Sequence, residues 1–306
     1  RPPLPRRERE RRTRERTPLM LRVSASIRGF STASANALSK PVFFDMKHSN
    51  NAARVRLWIR LKGMSDKIDS RMVTYPDLQT PEFAAVNPLK KVPAFILENG
   101  DPVIESAVIL GYLEDRYGDC GPSFTPDTPE GRQRMNLFIR MHDLYLASPN
   151  CTQPNFAHTQ GCMYLAPYQT AHCTPERTMD RPTRAAKLAE LWKQLSWIDA
   201  NADATQPYLV ANGGRPTLAD FTIFPTMIFC EFMLPRVFKW APLLRDEQSS
   251  PLPNLARWYS SLIRDDEAFA TVHKEIWDVW VAKEEEGQFD SIIPETNDPA
   301  FKWVYP

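Results

Sequence analysis

Residues 87–106 read NPLKKVPAFILENGDPVIES, and this stretch decides the fold. At its centre an Asn-Gly pair lies between two short apolar runs. This is the strongest short-range signal of a β-hairpin, because both central residues of the turn need a positive φ. The pattern predicts antiparallel strands over Ala94–Leu97 and Pro102–Ile104. Ser106 then opens an apolar, periodic segment over residues 106–113, which predicts a helix.

The residues flanking this hairpin suit a small zwitterionic peptide. Val92–Pro93 precedes the first strand, and only a bond before proline adopts the cis form cheaply. A cis bond there would leave the backbone N–H and C=O of Val92 unpaired in the sheet and facing a ligand. The predicted helix begins with free N–H groups, which favour an anion, and Glu105 just before it offers a carboxylate to an ammonium group.

This arrangement resembles the glutathione-binding half of the glutathione transferases, whose recognisable pattern is Asn-Pro-x-x-x-Val-Pro, a hairpin and then Glu/Gln-Ser. The resemblance covers residues 41–280 and is strongest over 41–117. It implies glutathione as the cosubstrate, a small electrophile as the second substrate, a homodimer, and no metal. The glutathione-binding residues that it implies are Val92, Pro93, Glu105, Ser106 and Lys91, with Lys90 as the alternative to Lys91.

Ser49 is the candidate catalytic residue. It lies between a predicted strand over Pro41–Asp45 and a predicted helix over residues 54–63, and it matches the family's catalytic Ser or Cys, five residues before Arg-Val-Arg. A free thiol has a pKa near 8.5, so glutathione needs a stabilised thiolate, which a hydroxyl donor at a helix N-terminus provides. The alternative is that Ser49 is only an N-cap residue.

The residues after Ser49 depart from the nearest Ser-type pattern. The chain resembles the zeta, theta and omega-like classes most, and the zeta class has Ser-Ser-Cys-x-x-Arg-Val-Arg. This chain has Asn50 and Asn51 in the second and third places. The departure speaks against maleylacetoacetate isomerase activity. It also makes both asparagines alternative thiolate donors. Without a cysteine here, thiol–disulfide exchange is disfavoured, and conjugation, isomerisation or reductive dehalogenation stays open.

The remaining periodicity predicts an α/β domain followed by an all-α domain. A strand over residues 68–73 and a helix over 81–86 complete the order β-α-β-α-β-β-α of a thioredoxin-like domain, residues 41–121. After a Pro-rich linker at 122–130, an all-helical C-terminal domain spans 131–286, and an aromatic tail over 287–306 is expected to pack back on it. The predicted helices are 131–148, 181–200, 217–232, 254–264 and 267–286. Thr217 and Asp220 form a capping-box pattern.

The electrophile is expected in an apolar cleft between the two domains. Helix positions suggest contacts from Met141, Tyr145 and Phe229. Residues 149–180 form a long Pro-rich loop with three cysteines and two histidines, but the spacings contain no Cys-x-x-Cys pair and no His-x₃₋₅-His pair, so no zinc site is expected. These five are Cys151, His158, Cys162, His172 and Cys173.

Charge and composition exclude several classes of protein. The chain has 38 Lys and Arg and 37 Asp and Glu, of which residues 1–40 hold eleven basic and three acidic residues. The rest of the chain is therefore mildly acidic, and nucleic acid is not expected as its partner. No unbroken apolar run reaches the 18 or more residues that span a bilayer. Five cysteines in 306 residues are too few for a disulfide scaffold.

Residues 1–40 are predicted to be a disordered or targeting extension. Residues 1–16 are rich in Arg, Glu and Pro, which predicts disorder. From Met20 the segment is rich in Arg and Ser and free of acids, as organellar transit peptides are, and Arg28-Gly29-Phe30 resembles a mitochondrial processing site. A mitochondrial location is expected, with a plastid as the alternative, and residues 1–19 are expected to precede the natural start. A solvated basic arm is the other interpretation.

Two functions therefore compete. The first is a glutathione transferase in which Ser49 activates the glutathione thiolate. The second is a non-catalytic, glutathione-transferase-like subunit of a larger organellar complex, favoured by the long extensions and by the two asparagines beside Ser49. Fold alone does not decide between them, because function depends on the site.

Overall fold

The structure, a computed structural model, describes residues 38–147, 159–170 and 178–306. The predictions made for residues 1–37 lie outside the described residues, as do those for Cys151, His158, His172 and Cys173. Residues 38–40, assigned to the extension from the sequence, are tied to the first domain, since the backbone N–H of Leu38 donates to the C=O of Glu98 at 2.8 Å.

The first domain has the predicted order β-α-β-α-β-β-α. Its elements are β1 Val42–Asp45, α1 Asn50–Leu61, β2 Asp69–Met72, α2 Pro81–Val86, β3 Ala94–Ile96, β4 Pro102–Ile104 and α3 Ser106–Arg116. The strand order in the sheet is β2-β1-β3-β4. β1 pairs with β2 in parallel and with β3 antiparallel, and β3 pairs with β4 antiparallel. The thioredoxin-like fold class is confirmed.

The strand register fixes where the connecting segments lie. Phe44 is opposite Ala94, and Ala94 is opposite Ile104. The end of β1, the beginning of β3 and the end of β4 are therefore side by side at one edge of the sheet. The Val92–Pro93 bond, immediately before β3, is cis.

Helix α1 begins earlier than its apolar periodicity indicates. It spans Asn50–Leu61 rather than residues 54–63, because Ser49 caps it and Ser49 Oγ accepts the backbone N–H of Ala52 at 3.2 Å. The two asparagines of its first turn are poor helix formers, so the sequence alone did not extend the helix over them. Gly63 has a φ of 67° just beyond the end, where a side chain would be strained.

The second domain is all-helical, as predicted. Its elements are α4 Pro129–Met141, which continues into a π-helical turn His142–Leu146, a 3₁₀ turn Thr159–Met163, α5 Arg181–Asn201, α6 Leu218–Phe238, α7 Pro253–Asp265, α8 Glu267–Glu285 and a 3₁₀ turn Ile293–Asn297. The predicted capping box is present at the start of α6: Asp220 Oδ2 accepts the backbone N–H of Thr217 at 2.7 Å.

Helix α6 is the core of this domain. Its 21 residues are long and apolar enough to cross a bilayer by length and composition, but 83% of its most apolar stretch is buried inside the protein. Asp220, Glu231 and Arg236 interrupt the apolar residues, which is why the sequence shows no unbroken run of that length. A helix in the interior of a domain is apolar on all sides because, like a membrane helix, it has no side that faces water.

The C-terminal tail packs on the helical domain, as predicted. Trp240 donates its indole N–H to the C=O of Trp303 at 2.6 Å, and the rings of Trp240 and Tyr305 are 5.5 Å apart. Within the long loop, the described residue Cys162 is fully buried and its C=O accepts Nη1 of Arg184 at 2.6 Å. Among the described residues no three His, Cys, Asp or Glu side chains group as metal ligands.

Candidate functional site

The sheet edge brings together the three segments that the sequence singled out. Ser49 follows β1 after a short loop, Val92–Pro93 directly precedes β3, and Glu105–Ser106 directly follow β4. Because the register aligns the ends of these strands, the segments converge on one edge. The arrangement offers a hydroxyl, free backbone groups and a carboxylate to one ligand.

Ser49 is the N-cap residue of α1, which is one of the two roles that the sequence left as alternatives. Its Oγ accepts the N–H of Ala52 as an N-cap, and its own backbone N–H donates to the C=O of Met46 at 2.9 Å. Accepting a hydrogen bond leaves the hydroxyl proton available as a donor. Ser49 is half-buried at the N-terminus of α1, where the aligned peptide dipoles favour a negative charge. The capping role and a thiolate-donor role are therefore compatible.

A buried asparagine shapes the loop before the cis-proline. Asn87 donates from Nδ2 to the C=O of Lys91 at 2.7 Å, and its Oδ1 accepts the N–H of Leu89 at 3.0 Å. Asn87 is only 2% exposed, so these bonds are well shielded. Asn87 was not among the residues predicted for the site; its position before Pro88 is the signal of a side-chain-stabilised turn. Within the described residues, neither the N–H nor the C=O of Val92 has a hydrogen-bond partner.

Glu105 adopts an unusual backbone conformation, with φ 69° and ψ 114°. It is the N-cap residue of α3 but its side chain makes no capping hydrogen bond, and it is exposed. The N–H groups of the first turn of α3 are therefore available to an anion. Ser106, the first residue of this helix, is buried. The two residues thus present a carboxylate beside a set of N–H donors.

The two candidate lysines differ in their surroundings. Lys90 has a φ of 53° and donates from Nζ to Oε1 of Gln79 at 3.2 Å, so its head group is engaged with the protein. Lys91 is half-buried one residue closer to Val92. Lys91 also interacts with other groups of the protein, so the surroundings of the two side chains do not choose between them.

The two asparagines after Ser49 also differ. Asn50 is buried, and its Nδ2 donates to Thr226 Oγ1 of α6 at 3.4 Å. Asn51 is half-buried, and its Oδ1 accepts a hydrogen bond from Arg54. Asn50 therefore faces the helical domain, whereas Asn51 contacts Arg54 of its own helix.

The three residues suggested for the cleft do not form one surface. Met141 is half-buried at the end of α4, and Tyr145 is 48% exposed on the π-helical turn. Phe229 has no exposed surface; it packs against Trp280, with ring centres 4.6 Å apart, and against Tyr164 at 5.6 Å. Phe229 is thus a core residue and not part of an open cleft. Because α6 carries apolar residues on all sides, its sequence does not indicate which of its residues face a cleft.

His48 is a site neighbour that the sequence analysis missed. Its Nε2 is 3.0 Å from the hydroxyl of Tyr75, and its ring lies edge-on to Trp280 at 5.8 Å. Burial lowers the pKa of His48 to about 4, and the charges of Lys283 and Arg56 act in the same direction. The imidazole is therefore neutral at physiological pH. A histidine next to Ser49 was the available sequence signal.

The arginines of α1 join the two domains. Arg56 forms a double hydrogen bond with Asp45 at 2.7 and 2.8 Å and also contacts Glu275 of α8 at 2.8 Å. Arg60 contacts the same glutamate at 2.6 Å. Both arginines therefore carry charges that lie between the two domains. A cavity of about 630 Å³ lies beside this cluster and β2, but none of Ser49, Val92 or Glu105 lines it. The sheet edge is the better candidate site because the segments that contain Ser49, Val92 and Glu105 come together there.

A thioredoxin-like domain followed by an all-helical domain is the glutathione-transferase fold. Residues 48–116 match the family model of the glutathione S-transferase N-terminal domain, and residues 181–261 match that of the C-terminal domain. The two matches follow one another in the family's order, and together they support a relationship of this chain to the glutathione S-transferases.

Individual relatives agree with this assignment. A glutathione S-transferase from Triticum aestivum is 33% identical over 82 residues, which is 26% of this chain and 36% of the relative, so the match spans little more than a third of the curated relative. Among solved structures, the Tau class glutathione S-transferase of mango, Mangifera indica, has a TM-score of 0.61 at 16% identity, over 80% of this chain and 99% of that one.

Two further structures were solved with glutathione. Rice GST1 in complex with glutathione has a TM-score of 0.60 at 18% identity, over 81% of this chain and 99% of that one. A glutathione S-transferase from Methylobacillus flagellatus with glutathione bound has a TM-score of 0.55 at 21% identity, over 76% of this chain and 98% of that one. At these identities the likeness establishes the fold.

Proposed function

We propose that this protein is a glutathione transferase that binds glutathione at the sheet edge and activates its thiolate through Ser49 for attack on a small electrophile. The observation that carries the proposal is the register of Phe44, Ala94 and Ile104, which aligns the three site segments. Each segment offers a group complementary to a different part of glutathione. The glutathione bound in two structures of the same fold supports the choice of ligand.

The residues of the site have separate roles in binding. The Glu105 carboxylate pairs with the ammonium of the γ-glutamyl group, while the Ser106 hydroxyl and the free N–H groups of α3 bind its carboxylate. The unpaired backbone groups of Val92, held at the start of β3 by Pro93, pair with the cysteinyl backbone. Lys91 reaches the glycyl carboxylate. Every charged group of the tripeptide then has a partner.

Ser49 acts on the sulfur. Its hydroxyl donates to the thiolate, and the N-terminus of α1 adds a favourable potential, so the thiol loses its proton to solvent nearer neutral pH. The sulfur then forms a bond to an electrophilic carbon as the bond from that carbon to its leaving group breaks. Ser49 Oγ keeps its capping bond to Ala52 throughout, which holds the donor in place.

The test compares two N-cap variants of the full-length protein. Ser49→Ala and Thr128→Ala each remove a capping hydroxyl, since Thr128 Oγ1 accepts the N–H of Gly131 at 3.0 Å at the start of α4. Both are expected to lose about 1 kcal/mol of unfolding free energy. Only Ser49→Ala should lose turnover of chlorodinitrobenzene, by about tenfold or more, with glutathione binding measured by calorimetry still present.

Other results would change the assignment. Absence of glutathione binding by the wild-type protein at millimolar concentration overturns the enzyme proposal. Binding with equal turnover in wild type and Ser49→Ala moves the thiolate-donor role to Asn50 or Asn51. Equal loss of turnover in Ser49→Ala and Thr128→Ala would show that the effect is one of stability.

One observation favours the second function, an interaction subunit. Leu144 and Tyr145 are neighbours on the π-helical turn and each is 48% exposed, and adjacent exposed apolar side chains favour contact with a partner. A chain that binds no glutathione but joins a larger complex through this turn would have that function. Homodimerisation is the family expectation, and sedimentation of the full-length protein tests it.

The proposed location rests on composition. Residues 1–40 are strongly basic, and from Met20 onward they lack acidic residues, which favours import into mitochondria, with plastids as the alternative. Fusion of residues 1–40 to a fluorescent reporter tests the proposal. A diffuse reporter would contradict it.

A further inference from the structure

A second cavity lies in the helical domain, between the C-terminal half of α6, helix α8 and the segment that follows α6. Its volume is about 230 Å³, and the residues that line it all belong to this domain. None of Ser49, Val92 and Glu105 lines it, so it is separate from the candidate site at the sheet edge. An apolar cavity of about 150 Å³ holds a benzene molecule, so this one has room for a ligand of about two fused rings.

Most of the cavity wall is apolar. Leucines and prolines from α5, α6 and the segment after α6 form it, and they favour the hydrocarbon body of a ligand over water. The ring of Trp277 in α8 completes the wall and stacks on His273, with ring centres 5.4 Å apart. The apolar lining residues are Leu195, Leu234, Pro235, Pro242, Leu243 and Leu244.

One carboxylate borders the cavity, and both of its oxygens are engaged with the protein. Glu231 Oε1 accepts the Nε–H of Arg245, and Oε2 accepts the hydroxyl of Tyr259 at 2.6 Å and the Nε2–H of His273 at 3.0 Å. Burial opposes ionisation of Glu231, but the bonds from His273 and Tyr259 and the charge of Arg245 lower its pKa. Glu231 is therefore an ionised acceptor whose partners all come from the protein.

The directions of these bonds leave Arg245 with unused donors. Because His273 gives its Nε2 proton to Glu231, the same nitrogen cannot accept a bond from Arg245 Nη2, which lies 3.3 Å away. In the part of the chain that the structure describes, the only other contact of the Arg245 guanidinium is the Nε bond to Glu231. The two Nη groups of Arg245 can therefore donate to a ligand at the cavity, which Arg245 lines.

Arg236, on the same cavity, also has unused donors. Its guanidinium carbon lies 4.3 Å from the ring centre of Phe232 and 4.9 Å from that of Trp277, and these cation–π contacts hold the group in place. Its Nε is 3.4 Å from Glu284, but this pair is 36% and 44% exposed and is screened by water. Among the described residues, no hydrogen-bond acceptor meets the guanidinium of Arg236 or the indole N–H of Trp277.

The geometry points to this cavity as a binding site for a small aromatic carboxylate. The apolar wall takes the ring system, and the guanidinium groups of Arg236 and Arg245 bind the carboxylate through charge-assisted hydrogen bonds. The unused polar groups at the cavity are donors and two of them are cationic, so the complementary ligand is an acceptor with a negative charge. A rigid ring system loses little conformational entropy on binding, which favours an aromatic body over a flexible chain. This inference does not depend on the proposed function, since the two sites share no residue.

The experiment measures the binding of 2-naphthoate to the full-length protein by calorimetry, beside the neutral molecule 2-naphthamide, which has nearly the same shape. We expect one 2-naphthoate per chain, and about tenfold or more weaker binding of the amide, because it cannot form charge-assisted bonds to the arginines. Saturating glutathione should leave the affinity for 2-naphthoate unchanged.

Three variants locate the site. Arg236→Met removes the charge but keeps an unbranched stem beside Trp277, and it should weaken binding of 2-naphthoate about 10- to 100-fold with little effect on the amide. Arg264→Met is the matched control, because Arg264 is exposed on α7, pairs with Asp265 at 2.7 Å and does not line the cavity. Ala241→Phe fills the cavity from an exposed position and should abolish binding of both molecules.

Several results would overturn the inference. One is the absence of 2-naphthoate binding at millimolar concentration, and another is equal affinity for the acid and the amide. Unchanged binding in Arg236→Met, or equal losses in Arg236→Met and Arg264→Met, would show that Arg236 does not hold the carboxylate. Unchanged binding in Ala241→Phe, or displacement by glutathione, would place the ligand elsewhere. The comparison of acid and amide needs no variant, so it decides the inference even if a variant fails to fold.

Discussion

Trp258 donates its indole N–H to Asp220 Oδ1 at 2.8 Å, and this bond joins α7 to the first turn of α6 in the interior of the helical domain. The same carboxylate accepts the N–H of Leu209 at 2.9 Å and, from Thr217, the N–H at 2.7 Å and the hydroxyl at 2.9 Å. Asp220 has no exposed surface, so water cannot replace a lost partner.

Asp220→Ala should therefore lower the free energy of unfolding by about 3–5 kcal/mol, because it leaves several buried donors without an acceptor. Urea denaturation followed by tryptophan fluorescence measures it. Asp246→Asn is the control: Asp246 accepts the N–H of Gln248 at 3.0 Å in an exposed turn, and its replacement should change stability little. Similar losses in both variants would contradict a special role for Asp220.

A second carboxylate holds the junction between the domains. Glu114 of α3 accepts the indole N–H of Trp58 at 2.7 Å, the ammonium of Lys62 at 3.2 Å and the backbone N–H of Phe124 at 3.0 Å. Lys62 is fully buried, and its other bond is to the C=O of Pro122 at 2.8 Å. The linker between the domains is thus fixed by α1 and α3 together.

Glu114→Ala should lower the free energy of unfolding by about 3–5 kcal/mol, since it leaves the buried charge of Lys62 without its partner. Glu98→Ala is the matched control, because the Glu98 carboxylate is 51% exposed and lies 3.9 Å from Arg116. Surface pairs of this kind contribute little. A small loss in Glu114→Ala, equal to that of the control, would show that Lys62 finds other partners.

The hairpin, the short helix α2 and the capping box were predictable because each depends on a local signal. Asn99-Gly100 marks the turn of the hairpin, although only Gly100 has a positive φ, of 89°, so the expectation of a positive φ at both residues is wrong. Thr80 caps α2 just before a proline, and Thr217 with Asp220 closes the first turn of α6. These signals lie within four residues of the elements they define. Two of the three segments at the sheet edge could be predicted for the same reason, since they flank the hairpin in sequence. Ser49 joins them through the pairing of β1 with β3, which is not local.

The contacts across the domains were not predictable. Arg54 and Asp143 are 89 residues apart, and nothing local distinguishes Arg54 from a surface charge. His48 could be noticed beside Ser49, but its neutral state depends on Trp280 and Lys283 of α8 packing over it. The burial of Phe229 likewise depends on what surrounds α6. Such features follow from the tertiary packing of separate elements.

His48 should make stability depend on pH. Its pKa is about 4 in the folded protein against an ordinary value of 6.5, so between these values only the unfolded chain takes up the proton. The stability of the wild-type protein should therefore fall as the pH falls from 6.5 towards 4, by at most about 3 kcal/mol from this group. Urea denaturation at several pH values measures the effect.

His48→Gln isolates this contribution. The pKa of His142 is also lowered by burial, so it adds to the loss of stability at low pH in both proteins, and the difference between wild type and His48→Gln belongs to His48. Above pH 7 His48 is neutral in both the folded and the unfolded chain. The difference in stability between wild type and His48→Gln should therefore be constant there. If the stabilities of wild type and His48→Gln fall in parallel between pH 6.5 and 4, the low pKa of His48 is contradicted.

Glu105 should show opposite effects on stability and on binding. Its φ of 69° lies in a region that favours glycine, and such a conformation costs a side-chain-bearing residue about 1–3 kcal/mol. Glu105→Gly relieves this strain but adds about 0.5–1 kcal/mol of backbone entropy to the unfolded chain. The free energy of unfolding should therefore rise by about 0–2.5 kcal/mol, and denaturant titration measures it.

The same Glu105→Gly variant should bind glutathione about 10- to 100-fold more weakly, because the ammonium loses a charge-assisted hydrogen bond. Glu105→Gln separates the two effects, since it keeps the backbone strain and removes the charge. It should weaken binding with no gain in stability. If Glu105→Gly binds glutathione as tightly as wild type in calorimetry, the carboxylate does not contact the ammonium. If Glu105→Gly is no more stable than Glu105→Gln, the backbone conformation of residue 105 does not strain the folded protein.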